Sequence, residues 1–172
     1  MSKLKIFLML SGYQLTWLMC IFGELIYNSF LPGLCCGIIF ILICTSRSSN
    51  KKKFLLTVFS ISTIGYLFDS LLIIFKIYSF DTSFYFGFLP IWMLVLWPSF
   101  AILFDEVFTF LSRYKVSAVL LSSILGPLTY FSGETLGLIN INQIFLFFSL
   151  MIIFWSTLMI FYLSFLIKLK FN

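Results

Sequence analysis

Six carboxylates and no histidine bound the chemistry open to this chain. The acids are Glu24, Asp69, Asp81, Asp105, Glu106 and Glu134. Without histidine there is no Ser–His or Cys–His nucleophile, and no zinc or haem site built on imidazole. The four thiols, Cys20, Cys35, Cys36 and Cys44, stand in apolar stretches. Cys35 and Cys36 are neighbours and lack the C-x-x-C spacing of a metal or redox motif, so all four read as small packing residues. No metal and no cofactor is expected. Any catalysis would run on carboxylates alone.

The segments that must position these acids are apolar. The chain has 172 residues, is 62% hydrophobic and has a mean hydropathy of +1.13. A soluble domain is closer to half apolar. Six spans of a length suited to a bilayer can be drawn, at about 6–27, 30–44, 54–77, 87–111, 116–133 and 143–167. They leave no room for a soluble domain, so residues 1–172 read as one integral membrane domain. With these spans, Lys3, Lys5, Arg47, Lys51, Lys52, Lys53, Arg113, Lys115, Lys168 and Lys170 all fall on one side, and only Lys76 lies elsewhere. The expected fold is therefore all-α, a six-transmembrane-helix bundle with both termini in the cytoplasm. The net charge of +5 belongs to short loops that set orientation and meet anionic headgroups, so nucleic acid is not an expected partner. The first span is neither a cleaved signal nor a lipoprotein signal. No small-x-small site follows it, and Trp17-Leu18-Met19 precede Cys20 where small residues would be needed.

Depth follows from a rise of about 1.5 Å per residue. Asp69 stands roughly 24 Å above the inner edge, Glu24 roughly 27 Å and Glu134 roughly 28 Å, all in the outer third of a core about 30 Å thick. Ionisable groups at such depths face a bundle interior or a wet cavity. Helical spacing lines up Ser62, Tyr66, Asp69, Ile73 and Lys76 on the third span, and Gln14, Trp17, Ile21 and Glu24 on the first. An outward-facing polar pocket is expected from Gln14, Trp17, Glu24, Asp69, Tyr130 and Glu134, centred on Asp69, with Lys76 able to pair with an acid. Asp105 and Glu106 form a second feature roughly 10–12 Å from the inner side, readable as a proton or cation site or as a vestibule snorkelling toward Arg113.

Pro98 and Pro127 interrupt the fourth and fifth spans and free a backbone carbonyl each, as helices bordering a cavity often do. Small residues recur four apart at Gly33–Gly37, Ser122–Gly126 and Gly133–Gly137, a spacing that lets helix backbones approach. The first pair would pack the second span on a neighbour, and the last would mark the end of the fifth. No internal repeat is evident, so the sequence gives no support to a repeat-built transporter.

Several segments, in order and spacing, resemble one known family. They are Tyr13-Gln14-Leu15-Thr16-Trp17, Asp69-Ser70-Leu71-Leu72, Pro90-x-Trp92 with Leu96-Trp97-x-x-Phe100, and Gly126-Pro127-Leu128-Thr129-Tyr130-x-x-Gly133-x-x-Leu136-Gly137. The family is an uncharacterised bacterial inner-membrane family, the domain of unknown function DUF2878, and the likeness runs through nearly the whole chain. It implies a multi-pass protein of the bacterial inner (cytoplasmic) membrane with no established activity. The resemblance also implies relatives encoded near lipid-modifying enzymes, which tilts the expected ligand toward lipid. Asp105-Glu106-Val107 depart from the pattern, standing where relatives carry a neutral polar stretch ending in Ser-Leu.

The reading favoured by these residues is a membrane protein that binds a lipid or small amphiphile in an outward-half polar pocket, alone or within a membrane lipid-modifying system. Membrane lipids are the expected partners, and a second copy or another membrane protein is compatible with the composition. Two rivals stand beside it. One is a small proton-coupled transporter using Asp69 outside and Asp105 or Glu106 inside. The other is a non-catalytic assembly subunit whose polar residues lock helices together.

Overall fold

Among the described residues the chain forms six α-helices, and punctuation residues mark several of their ends. The structure, a computed structural model, describes residues 3–166, leaving aside the side chains of Lys3, Asp105, Glu106, Thr109, Phe110, Ser112, Phe165 and Leu166. Helix α1 runs Lys3–Tyr27, α2 Leu31–Arg47, α3 Lys51–Ile74, α4 Met93–Glu106, α5 Lys115–Thr135 and α6 Ile144–Phe161. A 3-10 turn covers Phe108–Arg113 and a π-turn covers Tyr162–Leu166. Pro32 sits in the first turn of α2, where its missing N–H costs nothing. Asn50 caps α3, its Oδ1 accepting the Lys53 N–H at 3.1 Å.

Four stretches are helical, long and apolar enough to cross a membrane: Leu4–Tyr27, Lys51–Ile74, Lys115–Thr135 and Ile144–Ser164. The helices α2 and α4 are apolar but shorter. The fourth helix starts at Met93, later than the span expected from about residue 87, because the preceding residues fold back on themselves. Strands β2 (Tyr85–Phe86) and β3 (Leu89–Pro90) form a hairpin with Gly87 at φ +65° in its turn, and the Ile91 N–H closes it on the Phe84 carbonyl. Lys168 and Lys170, which bear on the orientation of the C-terminus, lie outside the described residues.

The chain divides into two compact units. The first, residues 1–68 with 82–109, contains α1, α2, the longer part of α3, the β2–β3 hairpin and α4 up to the start of the 3-10 turn. Here α2 packs on both α1 and α4. A Cβ on Gly33 would lie 2.6 Å from Cys20 Cα, and one on Gly37 would lie 2.6 Å from Val95 Cβ. The pair four apart thus serves two different neighbours. Pro98 leaves the Leu94 carbonyl without its helical donor, and the Tyr66 hydroxyl supplies one at 2.8 Å.

The second unit, residues 69–81 with 110–172, contains the last turns of α3, the α5–α6 pair, and strands β1 (Tyr78–Phe80) and β4 (Ile139–Ile141). The Trp155 ring of α6 occupies the space beside Gly126 of α5, and the Ser122 hydroxyl donates to the Trp155 carbonyl at 3.2 Å.

Within this unit the ends of α3 and α5 are built alike. In α3 the Ile77 N–H bonds the Leu72 carbonyl and the Lys76 N–H bonds Ile73, with Lys76 at φ 54°. In α5 the Leu138 N–H bonds Gly133 and the Gly137 N–H bonds Glu134, with Gly137 at φ 79°. Both are Schellman caps, and each leads directly into a strand. The strands pair antiparallel with Ser79 opposite Asn140 at the centre. The ladder continues symmetrically, Asp81 N–H to Leu138 carbonyl at 2.8 Å and Asn142 N–H to Ile77 carbonyl at 3.0 Å. A local two-fold relation therefore exists that the amino-acid types do not display.

Gly adopts the left-handed conformation freely, whereas a lysine there carries a penalty of about 1–2 kcal/mol. Lys76→Gly is expected to stabilise the protein by up to about 1 kcal/mol, and Gly137→Ala to destabilise it by about 1–2 kcal/mol. Thermal unfolding of the detergent-solubilised chain should show the two midpoints moving in opposite directions.

Candidate functional site

In the second unit the polar chemistry gathers on Asp69, which is 0% exposed. It sits on α3, seven residues before the left-handed Lys76. Tyr130 sits on α5, seven residues before the left-handed Gly137. The two-fold relation of the caps thus brings equivalent helix positions face to face. The Tyr130 hydroxyl bridges both oxygens of the Asp69 carboxylate, 2.9 Å from Oδ1 and 3.0 Å from Oδ2. A second phenol completes the cluster. The Tyr78 hydroxyl, delivered by β1, donates to Oδ1 at 2.8 Å.

The two phenol rings and Phe147 of α6 pack edge to face, with centroids 5.7–6.1 Å apart. Burial and the neighbouring Asp69 push the Tyr78 hydroxyl well above its ordinary pKa, so it keeps its proton and remains a donor. A carboxylate taken out of water is tolerated only when hydrogen-bonded, and phenol-to-carboxylate bonds belong to the strong charge-assisted class.

Glu134, four residues beyond Tyr130, is half-buried and does other work: its Oε1 accepts the Ile141 N–H of β4 at 3.3 Å. Lys76 contributes its backbone, the carbonyl accepting the Asn142 amide at 3.2 Å, while its side chain is exposed.

The α1 residues belong to the first unit and are met there by different partners. Glu24 is 7% exposed. The Thr82 side chain hydrogen-bonds its carboxyl, yet Oε1, itself buried, has no hydrogen-bond partner among the described residues. Thr82 Oγ1 also accepts the Phe84 N–H at 3.4 Å, and the Phe84 ring meets Phe30 edge-on at 5.0 Å. The segment entering the hairpin is thereby docked on the α1–α2 turn, where Asn28 adopts φ 45° and bonds the Glu24 carbonyl at 3.0 Å. On the same stripe of α1, Trp17 is half-buried, Ile21 is buried and Gln14 is exposed. Asp105 and Glu106 close α4 through their backbone, and their side chains lie outside the described residues.

The structure therefore joins Asp69 to Tyr130 and places Glu134 beside them in the chain with a separate task. It adds Tyr78 and Thr82, which helical periodicity could not reveal because both come from non-helical segments. The sulfurs pack as small soft groups, with Cys44 Sγ 3.5 Å from Met9 Sδ and Cys36 Sγ 3.8 Å from Thr16 Oγ1. Among the described residues no three of His, Cys, Asp and Glu are placed to hold a metal ion.

The family model described as "Protein of unknown function (DUF2878)" matches residues 6–161, and the chain belongs to that family. No curated protein and no solved structure matches it.

Each phenol should matter to stability by the amount of one hydrogen bond to a charged group. Tyr78→Phe and Tyr130→Phe are each expected to cost about 1.5–3 kcal/mol. The double variant should depart from additivity, because the first loss leaves the second phenol as the carboxylate's remaining phenolic donor. Equilibrium unfolding of the four proteins in one detergent gives the coupling directly.

Proposed function

We propose that this chain is a multi-pass protein of the bacterial inner membrane that holds a lipid or small amphiphile in its outward half, with Glu24 as the acceptor for the ligand's polar group. The observation that carries the reading is the buried, unpartnered Oε1 of Glu24. Buried polar atoms normally have a partner, and an orphan in a native fold points to a group supplied from outside the chain. Asp69 gives no such signal, since it already accepts three contacts from two phenols. In this reading the Asp69–Tyr78–Tyr130 cluster is scaffold and Glu24 is the ligand's contact. Trp17, two turns before Glu24 on the same stripe, is placed to lie along an acyl chain.

The topology we propose is six spans with both termini cytoplasmic. The basic loops support it, as do four helices of spanning length and two shorter apolar ones. It puts Glu24, Asp69, Asp81 and Glu134 in the outward half, with Lys76 as the one basic residue there. Gln14, on the exposed face of α1, and Glu134, engaged with β4, are peripheral to the ligand. The enclosed Asp69 cluster also favours a second reading, an assembly subunit whose polar groups lock its own helices while a partner protein uses the surface.

Native mass spectrometry of the gently solubilised chain separates these. Wild type and Tyr78→Phe should retain the same amphiphile, and Glu24→Gln should lose it while remaining folded. A partner protein retained by all three, with no small ligand, would replace the first reading by the second. Reporters fused after Asp81 and after Asn140 should both lie outside the cytoplasm, and either one found inside would remove the six-span topology.

A further inference from the structure

The surroundings of Glu24 restrict what can complete it. We infer that the group it holds is a primary ammonium, carried by a lipid headgroup; this rests on the amphiphile-binding reading above and specifies its ligand.

Four observations lead there. First, the missing partner must be a donor, because the orphaned atom is an acceptor oxygen. Second, Thr82 cannot serve twice. Its oxygen accepts the Phe84 N–H, and its single proton is all it can give Glu24, so Oε1 stays open with the hairpin docked. Third, the two first-unit segments that meet there, residues 20–34 and 82–93, contain the acid Glu24 and no Lys or Arg. A neutral donor would only complete the hydrogen bond, whereas an ammonium completes it and also supports the ionised form of a carboxyl, which burial disfavours. Fourth, the adjoining hairpin presents aromatic side chains to the surroundings: Phe84, Tyr85, Phe86 and Phe88 are all exposed. Aromatic residues of that kind settle at the headgroup layer of a bilayer, and ring faces attract cations. The ammonium is then delivered at the level where phospholipid amines reside.

Other cations fit less well. Calcium takes six to eight oxygen ligands and magnesium a near-ideal octahedron, and one carboxylate with one hydroxyl falls short of either. A quaternary ammonium has the charge and the aromatic affinity but no N–H to give Oε1. The inference thus separates headgroups that differ only in methylation.

The test uses the full chain in detergent, titrated with phospholipids of identical acyl chains bearing ethanolamine, choline or glycerol headgroups, and read by native mass spectrometry. Wild type should retain the ethanolamine lipid about tenfold more tightly than either of the others, the factor expected for one hydrogen bond to a charged group. Glu24→Gln should abolish the preference and leave choline and glycerol retention unchanged. Unchanged choline and glycerol retention shows that the Glu24→Gln variant is folded, and Tyr78→Phe, in the second unit, should keep the preference. Ethylammonium is the soluble probe: displacement of the ethanolamine lipid but not of the glycerol lipid supports the ammonium contact. If ethylammonium binds the lipid-free chain in a Glu24-dependent manner and the lipids show no headgroup preference, the source is a free amine and the lipid assignment falls. Equal retention of all three headgroups, lost in Glu24→Gln, overturns the ammonium while the amphiphile reading stands. No retained lipid of any kind overturns both.

Discussion

A carboxylate with no exposure to solvent governs the second unit. In water Asp69 would be hydrated on all sides; enclosed among α3, α5, β1 and α6 it depends on the donors the chain can bring to it. The α5 helix must present Tyr130 at the right height, β1 must return Tyr78 over the end of α3, and Phe147 must wall the two phenols in. None of these is a local preference. Each is a tertiary requirement set by one charged group, and removing either phenol would leave the rest of the arrangement without its reason.

The cap geometry shows how the chain meets that requirement. A helix ending in a left-handed residue reverses direction within two residues and satisfies its last carbonyls itself. Two such endings, at Lys76 and Gly137, launch strands that pair antiparallel about Ser79 and Asn140. The ladder fixes the two helix ends in register, and the same register sets Asp69 against Tyr130, residues 61 apart in the chain. The pairing also supplies partners to the backbone N–H and C=O groups of the two connections. Glu134 and Asn142 reinforce the ladder from its flanks, one taking the Ile141 N–H and the other reaching the Lys76 carbonyl. That glycine fills one cap and lysine the other explains why the relation is invisible to sequence comparison. What repeats is a backbone conformation, and different residues reach it at different energetic cost.

Much of the helical framework was legible because a span is a composition signal, and composition survives without tertiary knowledge. The helices apolar enough to cross a membrane, the packing of α2 on a neighbour through the Gly33–Gly37 pair, and the end of α5 at Gly137 all follow from residue type and spacing, whereas the two separate neighbours that Gly33 and Gly37 serve do not. Asp69 and Tyr130 stood out as polar groups within apolar helices. The segment 84–90 did not, since Phe84, Tyr85, Phe86, Phe88 and Leu89 are as apolar as any span, and only Gly87 and Pro90 mark the hairpin. The same blindness hid Tyr78, whose partner is defined by a reversal after α3. It also hid Thr82, one of many hydroxyls, which gains meaning from Glu24. Tyr66 was legible as part of the Asp69 stripe, but its task, capping the carbonyl that Pro98 frees, depends on which helix lies beside α3.

The two buried carboxylates show why burial alone does not identify a functional acid. Asp69 is the more enclosed, and on depth alone it ranks first. Yet its oxygens are engaged by two phenol hydroxyls, so a ligand would have to displace bonds already made among packed aromatic rings. Glu24 is nearly as enclosed and has one oxygen with nothing to accept from. In a low-dielectric setting the cost of an unmet acceptor is large, and the group that meets it gains most of that cost as binding energy. An acid satisfied within the chain stabilises the fold. An acid with an oxygen left open is where an external partner has the most to gain, and among the described side chains Glu24 has such an oxygen.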